Sequence, residues 1–189
     1  MTLMGFGFIF LGLQLMSDGL RPLRELPEFV ELFKAFRADT YLGVIKVALI
    51  GAAITGIVQS SAATLGITIT LASQGLIDYP SAVALVLGEN VGTTVTALLA
   101  SIGASANAKR AAYAHTLINI IGVAWVTAIF PYYLFGLENI LDPDHHVGAA
   151  IASAHTCFNI CNVILMIPFV GILDKFLQRI VPSDGNIEE

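Results

Sequence analysis

Three long segments without a charged side chain constrain this chain more than any other feature of its sequence. They cover residues 47–77, 111–137 and, histidines apart, 145–173. Each is longer than the roughly 20 residues that a helix needs to cross the hydrocarbon core of a bilayer. Because 56% of the residues are hydrophobic and only 12% are charged, a water-soluble domain of this size could not cover its surface with polar side chains. The sequence therefore predicts an all-α, polytopic membrane protein.

The two ends of the chain add smaller features. Residues 1–17 are apolar but lack the basic start and the cleavage site of a signal peptide, so we expect a retained first helix. In residues 27–37, aromatic and leucine side chains recur at helical spacing between charges, which predicts a short helix in the membrane interface. Residues 182–189 form a polar tail. We expect residues 1–181 to form a single transmembrane domain.

The apolar segment 41–75 is too long for a single crossing. As one straight helix it would measure roughly 50 Å, and the polar cluster QSSAAT (59–64) stands in its middle. We therefore predict a broken helix pair over 41–74, with one arm at 41–58 and the other at 62–74. The pair is either a re-entrant hairpin or two through-going helices.

A second polar cluster, GENVGTT (88–94), interrupts the apolar segment 81–103 and predicts a second broken helix. Two glycines, an amide, a carboxylate and two hydroxyls are not typical of an uninterrupted spanning helix. Segments 111–130 and 147–169 are predicted to be ordinary spans. Residues 170–180 are amphipathic enough to form a surface helix.

The distribution of charge predicts an orientation. Basic residues fall at 21–37, 109–110 and 175–179, whereas the connection at 138–146 carries only acidic charges. The positive-inside rule puts the basic groups on the cytoplasmic side. Because the basic residues at 21–37 and 109–110 would then lie on the same side, the chain must cross the membrane an even number of times over 40–109. A hairpin followed by one crossing would not meet this requirement. A net charge of -5 without a basic run offers no footprint for nucleic acid.

A helix broken inside the membrane survives only where its backbone lines a cavity. One half-helix then presents N–H groups, which suit an anion, and the other presents carbonyls, which suit a cation. No Lys or Arg lies between Lys46 and Lys109, so a doubly charged anion would need co-bound cations, and we expect coupling to sodium. Hydroxyl and amide side chains at the clusters can donate to an oxyanion or coordinate a hard cation: Gln59, Ser60, Ser61, Thr64, Asn90, Thr93 and Thr94.

Several motifs resemble one repeat of the sodium-dependent phosphate cotransporter family, the type II family of bacteria and animals. They are QSSAAT at 59–64, GENVGTTVTALLASIG at 88–103, RAAYAHTLINIIG at 110–122 and LGLQLMSDGLRPLRELPEF at 11–29. The resemblance runs from about residue 6 to residue 163. It implies a multi-pass plasma-membrane protein, in bacteria of the inner membrane, that moves inorganic phosphate with sodium and is not an enzyme.

The resemblance also implies the ligands and a partner. Family members carry two inverted repeats, each with a QSS motif at a mid-membrane break, and bind phosphate and sodium between them. By this resemblance the polar residues of both clusters, named above, bind the substrate. The implied sodium ligands are Gln59, Ser60, Thr64, Glu89 and Asn90.

This chain departs from the family pattern in three ways. Family members usually have the motif QSSS, whereas this chain has Ala62 in the place of the last serine. They usually have the motif GANIGT, whereas this chain has Glu89 in the place of the alanine. Only one QSS motif is present, so the chain resembles half a transporter. The second repeat would come from the same gene, from a separate subunit or from a homodimer. The bias of basic charge argues against the last, because inverted pairing requires insertion in both orientations.

Other residues have two interpretations each. Glu89 is either an interfacial carboxylate that reaches water or a group that binds a cation or carries a proton. The repeated pattern AHTLIN and AHTCFN places His115 with Asn119, and His155 with Asn159, one turn apart. Metal binding by the histidines is conceivable, but interhelical hydrogen bonding is the better interpretation, because two histidines alone make a poor ligand set.

Two other functions remain as alternatives. An intramembrane serine hydrolase would use Ser60 or Ser61 with His115 or His155, although the chain has no GxSxG pattern. A non-transporting membrane scaffold is compatible with the missing third serine.

Overall fold

The computed structural model describes residues 2–20 and 37–183, and its elements there are all helical. Segments long and apolar enough to cross a membrane are Tyr41–Val58, Tyr79–Ala100, Ala106–Ala128 and Pro143–Ile180. The prediction of an all-α polytopic membrane protein is confirmed. In chain order the helices are α1 (Thr2–Leu20), α2 (Tyr41–Val58), α3 (Ser61–Ser73), α4 (Tyr79–Ala100), α5 (Ala106–Ala128), α6 (Phe130–Glu138), α7 (Pro143–Met166) and α8 (Val170–Ile180), with a 3-10 turn at Ile167–Phe169.

Helix α4 is the centre of the bundle. Its residues 81–90 are all buried, and α2, α3, α5 and α7 pack against it. Asp78 caps its start by accepting a hydrogen bond from the N–H of Ser81 at 2.9 Å. Large side chains of the neighbouring helices are fully buried around it, among them Val44, Val47, Val126, Ile151 and Phe158.

Helix α2 lies beside α4 and runs in the same direction. A Cβ added to Gly88 would meet the carbonyl of Ala48, and one added to Gly56 would meet Cγ2 of Val95 at 3.2 Å. Residue 48 thus lies beside residue 88, and residue 56 lies beside residue 95. Because the residue numbers rise in the same direction along both helices, α2 and α4 are parallel. The chain must therefore return between them, and α3 provides that return.

Helices α2 and α3 form a hairpin whose tip is at Gln59 and Ser60. Thr64, in the first turn of α3, hydrogen-bonds to Thr55 near the end of α2. Both ends of the hairpin lie at the N-terminal end of α4, because the N–H of Ala38 donates to Oγ of Ser81 at 3.1 Å and α3 leads directly into α4. The predicted break of segment 41–74 is thus observed, with α3 starting at residue 61.

The predicted second break is absent, and that prediction is wrong. Helix α4 runs without interruption from Tyr79 to Ala100. The glycines of the cluster serve close packing instead, since a Cβ on Gly88 or Gly92 would collide with backbone atoms of α2. The polar side chains bond to carbonyls of their own helix: Asn90 to Val86, Thr93 to Glu89 and Thr94 to Val91.

This packing does not agree with the orientation predicted from charge. Arg37 lies 3.9 Å from Asp78, at the start of α4, whereas Arg110 follows the end of α4 in the next helix. A helix of membrane-spanning length therefore separates the two basic residues. The observed arrangement is a hairpin followed by one crossing. It gives an odd number of crossings over 40–109, whereas the orientation predicted from charge requires an even number.

A cap extends the first of the two later spans beyond its predicted start. Helix α5 begins before residue 111, because Oγ of Ser105 accepts the N–H of Ala108 at 3.4 Å. Helix α7 opens with a short turn at Pro143, capped by Asp142, which accepts the N–H of Asp144 at 2.9 Å. The non-helical backbone of His146 (φ -139, ψ 49) separates this turn from the long part of α7, which begins at the predicted residue 147. The N–H of Asp144 and the His145 side chain hold the pKa of Asp142 below its usual value.

The predicted amphipathic helix at 170–180 coincides with α8. It packs on α5 through the buried Leu177, and the Arg110 guanidinium donates to the carbonyl of Val181 at 3.0 Å. Residues 27–36 of the predicted interfacial helix, and most of the predicted tail, lie outside the described residues.

Candidate functional site

The hairpin tip is built by two residues with opposite backbone conformations. Gln59 ends α2 in the left-handed conformation, with φ 55 and ψ 26, and its N–H donates to the carbonyl of Thr55 at 2.7 Å. Ser60 is extended, and its Oγ accepts the N–H of Ala63 at 3.3 Å, which caps α3. A left-handed side-chain residue costs roughly 1–2 kcal/mol. The chain thus turns within two residues and restarts a helix at once.

The tip presents donors of hydrogen bonds. The first N–H groups of a helix have no partner inside it, and the positive end of the helix dipole points the same way. Gln59 and Ser60 are exposed, and Ser61 is half-buried, so an amide and two hydroxyls surround these N–H groups. The tip is therefore suited to an anion.

A buried chain of hydroxyls holds the tip to α2. Oγ1 of Thr55 donates to Oγ1 of Thr64 at 3.0 Å, and Thr64 donates to the carbonyl of Ser60 at 3.1 Å. Thr55 and Thr64 are both buried. Thr55 was not predicted from the sequence; its position one turn before the break is the signal that could have indicated it.

Glu89 is buried, which contradicts its interpretation as an interfacial carboxylate. Only 4% of it is exposed, and its Oε1 lies 2.6 Å from Oγ1 of Thr68 on α3. Among residues 37–183 no Lys, Arg or His forms an ion pair with it. Thr68 was missed by the sequence analysis, although it lies one turn after Thr64 on the same face of α3. The carboxyl group therefore faces the hairpin.

Asn90 joins α4 to α7. Its Oδ1 is 3.1 Å from Nε2 of His155 and 3.0 Å from Nδ2 of Asn159. For this pair, interhelical hydrogen bonding is confirmed. The other pair differs, because Asn119 donates to the carbonyl of His115 in its own helix at 3.0 Å and His115 is exposed.

The predicted ligands form two groups. Thr64 lies beside α4, but no hydrogen bond within the described ranges joins Gln59, Ser60 or Ser61 to a side chain of the second cluster. From the parallel register of α2 and α4, Gln59 lies roughly two helical turns beyond Asn90. Thr93 is half-buried and Thr94 buried, and both hydroxyls bond within α4.

Two cavities of the bundle are apolar, and one of them borders the second cluster through Gly88 and Val91. One, of about 510 Å³, lies between α2, α4 and α5, and its lining includes Ile45, Leu49 and Val123. Another, of about 490 Å³, lies between α5, α7 and α8, and its lining includes Leu117 and Phe176. No predicted ligand lines either cavity. The tip is thus an open polar surface rather than part of these cavities.

Hydrolase chemistry finds no support in this geometry. The His155 ring is engaged with Asn90, and Ser60 accepts a backbone N–H. No serine–histidine hydrogen bond occurs in the part of the chain that the structure describes, and no group of three metal-binding His, Cys, Asp or Glu side chains occurs there either.

Relatives of the chain include bacterial and animal proteins. "Uncharacterized protein YqeW" of Bacillus subtilis is 29% identical over 182 residues, which covers 96% of this chain and 57% of that protein. "Putative inorganic phosphate export protein YjbB" of Escherichia coli K12 is 28% identical over 184 residues, 97% of this chain and 33% of that protein. "Sodium-dependent phosphate transport protein 2B" of Homo sapiens is 40% identical over 79 residues, 40% of this chain and 11% of that protein.

The chain therefore spans between one third and 57% of the length of these bacterial relatives. No solved structure matches it. The named functions among the relatives are those of transporters, not of enzymes. The family described as Na+/Pi-cotransporter matches residues 29–137, which is more than half of the chain. The resemblance seen in the motifs is confirmed: the chain belongs to the Na+/Pi-cotransporter family.

Proposed function

We propose that this chain forms one half of a membrane transporter that moves inorganic phosphate together with sodium. The observation that carries the proposal is the helix break at Gln59 and Ser60, which turns the start of α3 into an exposed group of donors. Family membership and the names of the relatives, one a sodium-dependent transporter and one an exporter, support phosphate as the substrate.

The charge balance supports coupling to a cation. Between Lys46 and Lys109 the chain offers no fixed positive charge, and Glu89 adds a buried carboxyl. A phosphate dianion next to this cluster would be strongly disfavoured without cations. Sodium ions held by oxygens of Gln59, Ser60, Thr64 and Glu89 would offset the charge, since hard cations prefer oxygen ligands.

Phosphate would be held by donors rather than by charges. We assign this role to the side chains of Gln59, Ser60 and Ser61 and to the free N–H groups of α3, with Asn90 donating from the second cluster. The hydroxyls of Thr64, Thr93 and Thr94 donate to backbone carbonyls and would have to turn to phosphate when it binds. In the membrane the α2–α3 hairpin would be re-entrant, because α3 has only 13 residues, about 20 Å, which is too short to cross the hydrocarbon core. The site residues are Gln59, Ser60, Ser61, Thr64, Asn90, Thr93 and Thr94.

A second repeat would complete the site. The exposed tip of this chain offers half of a binding surface, and an inverted copy facing it would enclose the substrate. That copy would belong to the same polypeptide or to a separate subunit. We place the complete protein in the plasma membrane, the inner membrane in a bacterium.

Reconstitution tests this function. The complete protein that contains this chain is placed in liposomes, and labelled phosphate is followed under sodium gradients imposed in either direction. We expect flux that follows the sodium gradient and is abolished by Gln59→Ala. The matched control is Gln178→Ala, since Gln178 is an exposed glutamine that bonds only Asp174 in its own helix.

The other functions predict different results. Flux that ignores sodium contradicts the coupling. Absence of flux from a folded, complete protein supports the scaffold. Covalent labelling of Ser60 or Ser61 by a serine-directed probe supports the hydrolase.

A further inference from the structure

The side chain of Asn90 has its oxygen fully occupied. Its Nδ2 donates to the carbonyl of Val86 at 2.8 Å, which establishes which end of the amide is nitrogen. Its Oδ1 then accepts from His155 and from Asn159, at 3.1 and 3.0 Å. A carbonyl oxygen has two lone pairs, and an amide nitrogen has two hydrogens. Asn90 therefore has no acceptor left and one donor to spare.

The two donors on α7 are held in place themselves. Nδ2 of Asn159 also donates to the carbonyl of His155 at 2.9 Å, so both of its hydrogens are used. If the Asn159 amide were turned over, its oxygen would face the oxygen of Asn90. The His155 ring has to carry a proton on Nε2, because Oδ1 of Asn90 can only accept. The whole network is thus consistent with a single orientation of Asn90.

We propose that His155 and Asn159 are positioning residues, which keep Asn90 as a hydrogen-bond donor for phosphate and remove it from the sodium ligands. A sodium ion needs a free oxygen lone pair, and Asn90 has none. A phosphate oxygen needs a donor, and the second Nδ2 hydrogen supplies one. The inference rests on the function proposed above, and it replaces the predicted sodium role of Asn90 with a role in anion selection.

Two features of the chain bear on the positioning role of His155 and Asn159. The match to the family ends at residue 137, before α7 begins. The sequence also contains a matched pair, His115 and Asn119, with the same spacing on α5. His115 is exposed and is not among the hydrogen-bond partners of Asn90, so it serves as a control for His155.

The test measures binding of labelled phosphate, and separately of labelled sodium without phosphate, by the complete purified protein. We expect His155→Leu and Asn159→Leu to raise the phosphate Kd about tenfold, as the loss of a hydrogen bond to a partly buried amide predicts. The sodium Kd should stay within about twofold for these variants and for Asn90→Ala. His155→Gln retains an N–H donor and should bind phosphate nearly as the unsubstituted protein does, and His115→Leu should have no effect.

A double-substitution cycle tests whether the α7 residues act through Asn90. In an Asn90→Ala background, His155→Leu should change the phosphate Kd by less than about twofold. If the two substitutions instead raise the phosphate Kd independently, so that their fold-changes multiply, the inference is overturned. A sodium Kd that rises as much as the phosphate Kd also overturns it. If His155→Leu does not fold, as judged by its elution as a single species, Asn159→Ala repeats the test with a smaller change.

The two proposals fail differently. If the unsubstituted protein binds no phosphate, the proposed function and this inference fall together. If it binds phosphate and His155→Leu binds equally well, only the positioning role is overturned.

Discussion

The chain contains two polar clusters in apolar segments, and they fold in opposite ways. QSSAAT at 59–64 breaks the helix, whereas GENVGTT at 88–94 stays inside one continuous helix. Both contain hydroxyl and amide side chains, and the second contains two glycines as well. The number of polar or flexible residues is therefore not what decides whether a membrane helix breaks.

The difference lies in where the polar groups find their partners. At the first cluster, Ser60 uses its Oγ to cap a new helix, and Gln59 adopts the left-handed conformation that separates the two arms. At the second, each amide or hydroxyl bonds to a carbonyl of the preceding turn, which leaves the backbone helical. The glycines are used for contact with α2 rather than for flexibility.

The largest expected effect comes from Gly88→Ala. A methyl group there would collide with the carbonyl of Ala48, so α2 would have to move away from α4. We expect a loss of roughly 3 kcal/mol in the free energy of unfolding, measured in mixed detergent micelles. Gly136→Ala on α6 is the control, because nothing lies within 4 Å of its added Cβ. If the two variants were equally stable, close packing against α2 would not be the reason for a glycine at position 88.

The next largest effect is expected for Thr68→Val. The replacement keeps the shape of the side chain but leaves the buried carboxyl of Glu89 without the hydroxyl at 2.6 Å. We expect a loss of about 2 kcal/mol in the free energy of unfolding. Thr156→Val is matched to it, since Thr156 is exposed and bonds only within α7. A loss of the same size in the Glu89→Leu background would show that the effect does not depend on the carboxyl.

Ser60 allows capping to be separated from binding. Ser60→Ala should cost about 1 kcal/mol of stability, as the loss of a helix cap does. Ser60→Asp should restore the stability, because a carboxylate also caps α3, but should abolish phosphate binding through charge repulsion. Ser105→Ala removes the similar cap of α5 and should cost stability without changing phosphate binding. If Ser60→Asp bound phosphate normally, the tip would not be the anion site.

The smallest effect on stability is expected at Gln59. Glycine adopts a φ of 55 without strain, and the gain is partly cancelled by its flexibility in the unfolded chain. Gln59→Gly should therefore raise the free energy of unfolding by about 0.5 kcal/mol or less, whereas phosphate binding should be lost with the amide. Gln59→Val should be less stable, because a β-branched residue resists this conformation. Melting curves that fall equally for both variants would mean that φ does not matter at the tip.

Much of the fold could be predicted because it depends on local sequence. The uncharged segments indicate the spans, and an apolar run too long for one crossing with Gln59-Ser60 in its middle indicates the break. The helix start at Ser105 was predicted several residues late, although serine is a typical cap. Greater attention to capping residues would have corrected this boundary.

What could not be predicted depends on contacts between distant residues. The parallel packing of α2 on α4 requires Gly88 to face Ala48, and nothing near either residue in the sequence indicates the other. The burial of Glu89 follows from the packing of α3 on α4, where Thr68 meets its carboxyl group, so its depth was not predictable from position alone. In the same way, the His155 and Asn159 pattern indicated hydrogen bonding, but its partner, Asn90, emerged only from the structure.

The hairpin also sets an order for biosynthesis. Helix α2 leaves the ribosome before α4, yet its close glycine contacts are made with α4, and the bond from Ala38 that closes the base of the hairpin ends on Ser81. Until α4 has been translated and inserted, the hairpin therefore lacks its main docking surface. Until α4 is inserted, the exposed apolar sides of the hairpin have to be covered by the translocon or by lipid.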